Sequence, residues 1–227
     1  MTDEPDTTRA WPAAADRLSI AAVRDGEPTR WFEELWSSAV RGEVDTPWPR
    51  TEPMPAVAQH LATTQPGDGR RAVVVGVGLG ADAQATAAHG WDTTAFDISP
   101  SAIELVTARY PDSPVDFRVA DLLDLPDELR DAFDLVVEVF TVQAMPSTVR
   151  ERAGAGLRAL LRPGGELLAV QVVRADGSPY PEEPPWPLDE AEIRALAADD
   201  VTLVSLDRLD DDQWPLWVAV LRRAALG

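Results

Sequence analysis

A glycine-rich turn that joins a short apolar segment to an alanine-rich one limits the fold of this chain more than any other part of its sequence. The run RAVVVGV at 71–77 predicts a buried strand, and ADAQATAAHG at 81–90 predicts a helix. Gly76, Gly78 and Gly80 fall at the junction, where glycine lets the backbone turn tightly and approach a ligand closely. The first turn of the following helix offers unpaired N–H groups to a negative charge. The junction therefore predicts a ligand site that takes either a methionine carboxylate or a pyrophosphate.

From residue 70 onward, short apolar runs alternate with segments of helical spacing, which is the order of parallel β-α-β units. The runs that predict strands are 71–77, 93–98, 115–123, 133–140 and 166–173, followed by a terminal pair at 201–209 and 214–223. The segments that predict helices are 81–90, 99–110, 146–161 and 187–198, and RPGG at 162–165 predicts a turn. The sequence thus predicts an α/β fold of Rossmann-like, doubly wound type. Its sheet would be mostly parallel and seven-stranded, with a C-terminal antiparallel hairpin.

The N-terminal third of the chain has a different pattern. Residues 16–69 carry apolar and aromatic side chains at helical spacing, interrupted by the proline-rich stretch TPWPRTEPMP. This segment predicts an N-terminal helical cap and a linker. Residues 1–15 are rich in Asp, Thr, Pro and Ala and predict a flexible tail, which leaves 70–227 as the cofactor-binding domain.

The composition excludes several classes of function. The chain has no cysteine, which excludes disulfides, a thiolate nucleophile and cysteine-ligated zinc. Its formal net charge of −19 would repel phosphate backbones, so nucleic acid is disfavoured as a partner. The N-terminus is acidic where a signal peptide would be basic, and no apolar stretch is long enough to span a bilayer. We therefore expect a soluble, cytoplasmic protein that acts on a small molecule, without a metal and away from membranes.

Acidic residues lie at the carboxyl ends of the second and third predicted strands. Asp97 is placed to accept hydrogen bonds from both ribose hydroxyls of an adenosine, or else to cap the next helix. Asp121 is placed to bind an adenine amino group, with the Leu122 N–H and side chain beside it. The alternative for Asp121 is that it starts a turn in the run DLLDLPDE.

Glu138 is the most informative acid, because it lies within the apolar strand segment DLVVEVF. A carboxylate there is costly unless it is paired or kept near water. At the carboxyl edge of a central strand it would face the cofactor cleft and hold a methionine ammonium or balance a sulfonium charge. The alternative is a structural partner such as an arginine.

Four aromatic side chains in the cap segment, Trp31, Phe32, Trp36 and Trp48, could form a lid. Aromatic faces attract cations and exclude water, and both properties suit methyl transfer from a sulfonium. Aromatic residues at helical spacing also serve simply as packed core.

With these motifs in place, the chain resembles the class I S-adenosylmethionine-dependent methyltransferases, and within them the thiopurine and halide/thiol methyltransferase branch. The resemblance rests on RAVVVGVGLGAD, AFDIS, ADLL, EVFTVQAMP and LRPGGELL. It implies S-adenosyl-L-methionine as cofactor and S-adenosyl-L-homocysteine as product. It also implies that the cofactor is bound by Gly76, Gly78, Gly80, Asp97, Ile98, Asp121, Leu122 and Glu138.

The flanking segments carry the more specific part of the resemblance. WFEELW followed by TPW is similar to the branch's tryptophan signature, which implies that Phe32, Trp36 and Trp48 contact the cofactor. PPWPL is similar to an element that lines the acceptor pocket, which implies a positioning role for Trp186. Val74 stands where class I enzymes often have an acid, and Trp186 stands in place of a tyrosine.

The expected reaction is in-line displacement at the sulfonium methyl group. No general base is evident, because cysteine is absent and both histidines, His60 and His89, have the pattern of structural residues. This favours acceptors that are already nucleophilic, such as thiols, halide-like anions and hydroxyls or carboxylates of low pKa.

Two other functions fit part of the same pattern. Read with Ala81, the glycine turn is also GxGxxA, which together with Asp97 is compatible with an NAD(P)-dependent oxidoreductase. A non-catalytic cofactor-binding module is the second alternative.

Overall fold

The computed structural model describes residues 10–175, 177–210 and 214–226. Seven strands form one sheet in the order β3-β2-β1-β4-β5-β7-β6. The strands are β1 (Arg71–Val75), β2 (Asp92–Asp97), β3 (Asp116–Val119), β4 (Phe133–Val139), β5 (Leu161–Val172), β6 (Val201–Leu209) and β7 (Leu216–Arg223). The helices are α1 (Trp11–Arg24), α2 (Arg30–Val40), α3 (Pro55–Thr63), α4 (Ala81–Ala88), α5 (Pro100–Arg109), α6 (Ser147–Leu160) and α7 (Glu190–Arg194).

The first five strands pair in parallel, and β7 runs antiparallel to both β5 and β6. This confirms the predicted α/β fold with a mostly parallel seven-stranded sheet and a C-terminal hairpin. The order of the strands reverses between β1 and β4, which are neighbours in space but not in sequence. In doubly wound sheets the crevice for a ligand opens at the carboxyl ends of the strands where the order reverses.

Both faces of the sheet are covered. Along β1, Val73 and Val75 join one apolar cluster, while Ala72 and Val74 join another. Because side chains alternate between the faces of a strand, the two clusters are the two sides of the sheet. A strand buried on both sides needs a continuous apolar run, and that is the pattern that made β1 and β4 recognisable in the sequence.

Helices α1 and α2 cover the first of these faces, and α3 packs on the other. Residues of α1 and α2 belong to the cluster that contains Val73 and Val75, and α2 also packs on α5. Helix α1 begins at Trp11, inside the segment 1–15 that the sequence predicted as a tail. Pro12 in its first turn and the alanines after it suit a helix start. Residues 1–9 lie outside the described residues.

Three element boundaries differ from the sequence prediction. The helix predicted at 187–198 is confined to Glu190–Arg194, because the Leu188 N–H donates to the Val172 carbonyl and extends the sheet instead. Asp189 nevertheless caps this helix as expected, in a reciprocal arrangement with Glu192. Strand β3 is shorter than 115–123, and β5 already begins at Leu161, so the predicted RPGG turn lies within it. Across the described segments, no helix is long and apolar enough to cross a membrane.

Candidate functional site

A cavity opens at the carboxyl ends of β1, β2 and β4, the place where the strand order reverses. It comprises about 1000 Å³ of space between the lining atoms, part of it open to solvent. Of the predicted site residues, the lining includes Phe32, Trp36, Trp48, Gly76, Gly78, Gly80, Asp97, Ile98, Asp121 and Leu122. The fold therefore brings together side chains from the cap and from the ends of three strands.

The glycine turn has the conformation that its sequence predicted. Gly76, Gly78 and Gly80 all have positive φ values, of 66°, 50° and 85°. A Cβ atom on Gly76 would collide with Thr141 Oγ1, whereas one on Gly78 would meet nothing nearer than Trp36 Cζ2 at 4.0 Å. Gly78 thus presents bare backbone to the cavity, and the N-terminus of α4 begins just after it.

Asp97 ends β2 and faces the same turn. Its carboxylate accepts hydrogen bonds from the Ser99 N–H at 3.0 Å and from the Gly78 N–H at 3.4 Å. Burial raises the pKa of Asp97 to about 6, against the opposing effect of these hydrogen bonds. The helix-capping alternative is taken by Ser99, whose Oγ accepts from the Ala102 N–H at 3.1 Å. A costly buried acid that leaves capping to its neighbour is free to receive a ligand's hydroxyl groups.

Asp121 lies beyond the end of β3, not within the strand. Its Oδ1 accepts a hydrogen bond from the Leu123 N–H at 2.8 Å, so it does form the turn considered as its alternative role. Asp121 and the buried Leu122 nevertheless line the cavity. Asp121 thus forms the turn and lines the cavity at the same time.

The aromatic side chains of the cap pack into the hydrophobic core, and some of them also line the cavity. Trp36 and Phe32 are almost fully buried, yet both line the cavity together with Trp48. Trp31 is completely buried, is absent from the lining, and stacks on Phe32 with ring centroids 4.2 Å apart. The ring of Trp48 lies 6.0 Å from that of Trp36 and 5.1 Å from that of Trp11. Packing thus holds three of the four predicted aromatic residues in place as a wall.

Glu138 and Trp186 differ from their predicted placement, since neither lines the cavity. Glu138 is completely buried, and its carboxylate accepts hydrogen bonds from the Thr141 N–H at 2.6 Å, the Val142 N–H at 3.0 Å and the Gln171 side-chain amide. The loop after β4 folds back and takes the carboxylate away from the cleft. Burial raises the pKa of Glu138 to about 7, against these hydrogen bonds.

The buried Trp186 lies behind the same loop, because its backbone N–H donates to the Gln143 carbonyl at 2.7 Å. The arginine partner considered for Glu138 is not among these contacts. Arg150 instead donates to the Trp186 carbonyl.

Arg50 and Asp82 form a part of the wall that the sequence did not identify as an interacting pair. Arg50 donates to Asp82 through both terminal nitrogens, at 3.1 and 2.5 Å, and the Met54 N–H donates to the same carboxylate at 2.7 Å. Asp82 lies in the first turn of α4, where a negative charge is favourable. The pair therefore fastens the Trp48 segment to the helix that follows the glycine turn. Only the position of Asp82 after the last glycine signalled it in the sequence.

The loop after β4 also contributes more than expected. Phe140, Thr141, Ala144 and Met145 all line the cavity, although the sequence identified only the neighbouring Glu138. The stretch EVFTVQAMP marked this region, but its pattern did not show which of its side chains face inward.

Comparisons with known proteins agree with this geometry. A family profile described as a methyltransferase domain matches residues 72–165. Over 156 residues the chain is 30% identical to probable thiol methyltransferase 2 of Arabidopsis thaliana, and over 157 residues 30% identical to thiocyanate methyltransferase 1 of Brassica oleracea. Each match covers 66% of this chain, which spans 66% of the length of each of these relatives.

A solved structure extends the likeness to nearly the whole fold. The 1,6-didemethyltoxoflavin-N1-methyltransferase of Burkholderia thailandensis, crystallised with S-adenosylhomocysteine, aligns with a TM-score of 0.66 at 21% identity. The alignment covers 93% of this chain and 91% of that one, and at this identity it is evidence of a shared fold.

The chain belongs to the class I methyltransferases. In this class I methyltransferase the described residues contribute four charged side chains to the lining, and all four are already bonded. Arg50 and Asp82 pair with each other, Asp97 accepts from two backbone N–H groups, and Asp121 accepts from one. Neither histidine lines the cavity: His60 Nε2 lies 3.1 Å from the Glu166 carboxylate, and His89 ends α4. Within the described parts of the chain, no group of three or more His, Cys, Asp or Glu residues could hold a metal ion. The arrangement is suited to binding and aligning reactants.

Proposed function

We propose that this protein transfers a methyl group from S-adenosyl-L-methionine to a small-molecule acceptor, a thiol, a halide-like anion or a hydroxyl or carboxylate of low pKa. The observation that supports it best is one cavity that joins the glycine turn, the buried acid Asp97 and an aromatic wall. The names of the relatives, a thiol and a thiocyanate methyltransferase, support the choice of a sulfur acceptor first.

The cavity fits the cofactor residue by residue. Gly78 leaves room for a close approach and α4 offers an N-terminus, which suits the methionine carboxylate. Asp97 is an acceptor for ribose hydroxyls, and Asp121 with Leu122 suits the adenine end. Phe32, Trp36 and Trp48 present aromatic faces, which attract a sulfonium cation and exclude water, and Ile98 adds apolar contact.

The cofactor supplies an activated methyl group, and the protein's own residues have to align the acceptor with it and keep the site dry. The lining beyond the charged residues is mostly apolar, with Thr29 and Thr141 as its uncharged polar side chains. Among the described lining residues there is no histidine, and no acid without a hydrogen-bond partner, to remove a proton, so the acceptor must arrive as a nucleophile. Thiolates and halide-like anions meet that requirement at neutral pH.

The test is a methyl-transfer assay over thiocyanate, iodide, aromatic thiols, phenols and carboxylates, with products identified by mass spectrometry. We expect a methylated product formed in a 1:1 ratio with S-adenosylhomocysteine, and the highest kcat/KM for a sulfur acceptor. In parallel, calorimetry compares S-adenosylhomocysteine with NAD(P). Binding of NAD(P) in place of S-adenosylhomocysteine would establish the oxidoreductase alternative. Tight S-adenosylhomocysteine binding without turnover of any acceptor would instead indicate a non-catalytic module.

Other parts of the sequence interpretation remain predictions. These are the division into a tail, a cap with linker and a cofactor-binding domain, the cytoplasmic location, and the exclusion of nucleic acid as a partner.

A further inference from the structure

Three buried polar residues form a continuous hydrogen-bonded chain behind the wall of the cavity, through the side chains of Glu138 and Gln171 and the backbone N–H of Gln143. Glu138 on β4 is bonded to Gln171 on β5, and the Gln171 side-chain oxygen accepts from the Gln143 N–H at 3.1 Å. None of the three lines the cavity, and Glu138 and Gln171 are fully inaccessible to solvent. Burying such polar groups costs free energy, so we looked for the part of the structure that their hydrogen bonds hold in place.

This hydrogen-bonded chain of residues holds the loop that leaves β4. The carboxylate of Glu138 accepts from the backbone N–H groups of Thr141 and Val142, at 2.6 and 3.0 Å. Between them and the strand lies Phe140, whose φ of 63° is unfavourable for a residue with a side chain. The bonds to Glu138 thus hold the loop in a reversal that its own backbone preferences oppose.

This reversal positions Thr141 against the glycine turn. Thr141 Oγ1 donates to the Val75 carbonyl at 3.1 Å, and it occupies the space that a Cβ on Gly76 would need. Thr141 and Phe140 are lining residues, so displacing the loop displaces the wall next to the turn.

Gln143 carries the chain onward to a second segment. Its side-chain oxygen accepts from the Val172 N–H at 2.6 Å, and its carbonyl accepts from the Trp186 N–H at 2.7 Å. The loop after β4 and the segment of Trp186 are therefore held in register through one residue.

The donor pattern explains why a carboxylate stands at 138. Two backbone N–H groups and one side-chain amide converge on it, and only an ionised acid offers acceptors alone on both of its oxygens. An amide would place its own N–H₂ group against one of these donors, and an apolar side chain would leave all three unpaired.

We propose that Glu138, Gln171 and Gln143 are positioning residues for methyl transfer: they fix the loop after β4 against the glycine turn and align it with the Trp186 segment. Their role in catalysis rests on the proposed function, whereas their role in holding the loop does not. None of the three touches the reactants. Their effect is transmitted through Phe140 and Thr141.

An exchange of the two partners provides the test. In Glu138→Gln two amides face each other, and whichever way Gln171 turns, one N–H group opposes another donor. In the double variant Glu138→Gln/Gln171→Glu, the new acid accepts from both the amide introduced at position 138 and the Gln143 N–H. Every bond is then restored, the one between the two side chains with its polarity reversed. The net charge of the double variant is that of the parent. Gln59→Glu, at an exposed position on α3, is the matched control for adding an acid.

The first readout needs no acceptor. Amide hydrogen exchange is measured over residues 138–146 at pH 8. In each single variant we expect the exchange rate to rise at least about tenfold, because one buried hydrogen bond is lost. In the double variant we expect the rate to return to within about threefold of that of the parent protein. Parent-like exchange in the single variants, or unrestored exchange in the double variant, would overturn the positioning role of the chain.

The second readout separates positioning from stability. With an acceptor that the parent protein methylates, we expect each single variant to lose at least about tenfold in kcat/KM, while the Kd for S-adenosylhomocysteine changes less than about threefold. The double variant should recover both. A lower melting temperature with unchanged kcat/KM would show that the chain is structural only. If the parent methylates no acceptor, the proposed function fails, and the exchange data still decide the role of the chain in the loop.

Discussion

Glu33 on α2 accepts a hydrogen bond of 2.6 Å from the hydroxyl of Ser99, the residue that caps α5. It also accepts from the hydroxyl and the N–H of Ser101, at 2.8 and 3.2 Å. Glu33 follows Phe32 of the aromatic wall, and Ser99 donates its own N–H to Asp97. The cap and the buried acid that lines the cavity are therefore joined through one carboxylate at a helix N-terminus, where negative charge is favoured.

Removing that connection should loosen the aromatic wall. Partial burial acts to raise the pKa of Glu33, but the hydrogen bonds from Ser99 and Ser101 outweigh it, and the pKa is lowered. For Glu33→Ala we expect the Kd for S-adenosylhomocysteine to rise about fivefold to tenfold and the free energy of unfolding to fall by about 1–2 kcal/mol. Calorimetry and urea unfolding measure the two effects. Glu34→Ala is the control, because Glu34 lies on the same helix and pairs with Arg30 of that helix. Equal Kd values for both variants would refute the connection.

The affinity for S-adenosylhomocysteine should depend on pH through Asp97. The ionised carboxylate is the form that accepts from both ribose hydroxyls, and the pKa of Asp97 in the free protein is raised to about 6 by burial. We therefore expect a constant Kd above about pH 7 and a Kd that rises up to about tenfold per pH unit below about pH 6. Calorimetry between pH 5 and 8 provides the measurement.

Asp97→Asn should remove this dependence and raise the Kd at pH 8 by at least about tenfold, the loss of a charged hydrogen bond. Asp92→Asn, at the exposed start of the same strand, should behave like the parent protein. A pH profile in Asp97→Asn that matches the parent would remove Asp97 from the ribose site.

Gly78 provides a test of the cradle itself. Gly78→Ala places a methyl group in the cavity and strains a backbone with a φ of 50°, so it should weaken S-adenosylhomocysteine binding at least about tenfold. Gly26 has a φ of 79° and open space around its Cβ position, so Gly26→Ala carries similar strain, about 1 kcal/mol, away from the cavity. We expect both variants to lose similar stability in urea unfolding and only Gly78→Ala to lose affinity. Parent-like affinity in Gly78→Ala would mean that no ligand approaches the turn closely.

Stability should fall as the pH rises through the range in which Glu138 ionises. Its pKa is about 7 in the folded protein and 4.5 as the reference value, so between these values the folded state retains a proton that the unfolded chain has lost. The contribution of this bound proton to the free energy of unfolding is complete below pH 4.5, decreases with rising pH and is gone above about pH 7. The total change is about 3 kcal/mol. Because other groups titrate as well, the measurement is the difference in unfolding free energy between the parent and Glu138→Gln at several pH values. A difference that stays constant from pH 5 to 8 would contradict the raised pKa.

Local sequence patterns sufficed for the central sheet and the turn. A short apolar run such as Ala72–Val75, flanked by segments of helical spacing, indicates a strand that is buried on both faces. The three glycines that follow it indicate a tight turn between this strand and the next helix. The position of Asp97 in the cavity lining was predictable for the same reason, because the end of a parallel strand next to that junction faces the cavity. These features depend on the period and backbone preferences of a few adjacent residues.

The tertiary structure alone decided where the other polar side chains point. The segment 187–198 has helical spacing, yet Leu188 extends the sheet. It pairs there because β5 runs past the last β4 partner, Val139, and leaves its end open on that side. Glu138 stands on the expected strand, but its carboxylate turns to three donors from a loop and from β5, and Trp186 follows that loop. Arg50 meets Asp82 across 32 residues of sequence. The spacing of a sequence sets the direction of the backbone, whereas the partner of a buried charge depends on distant donors and acceptors that only the folded chain brings within hydrogen-bond distance.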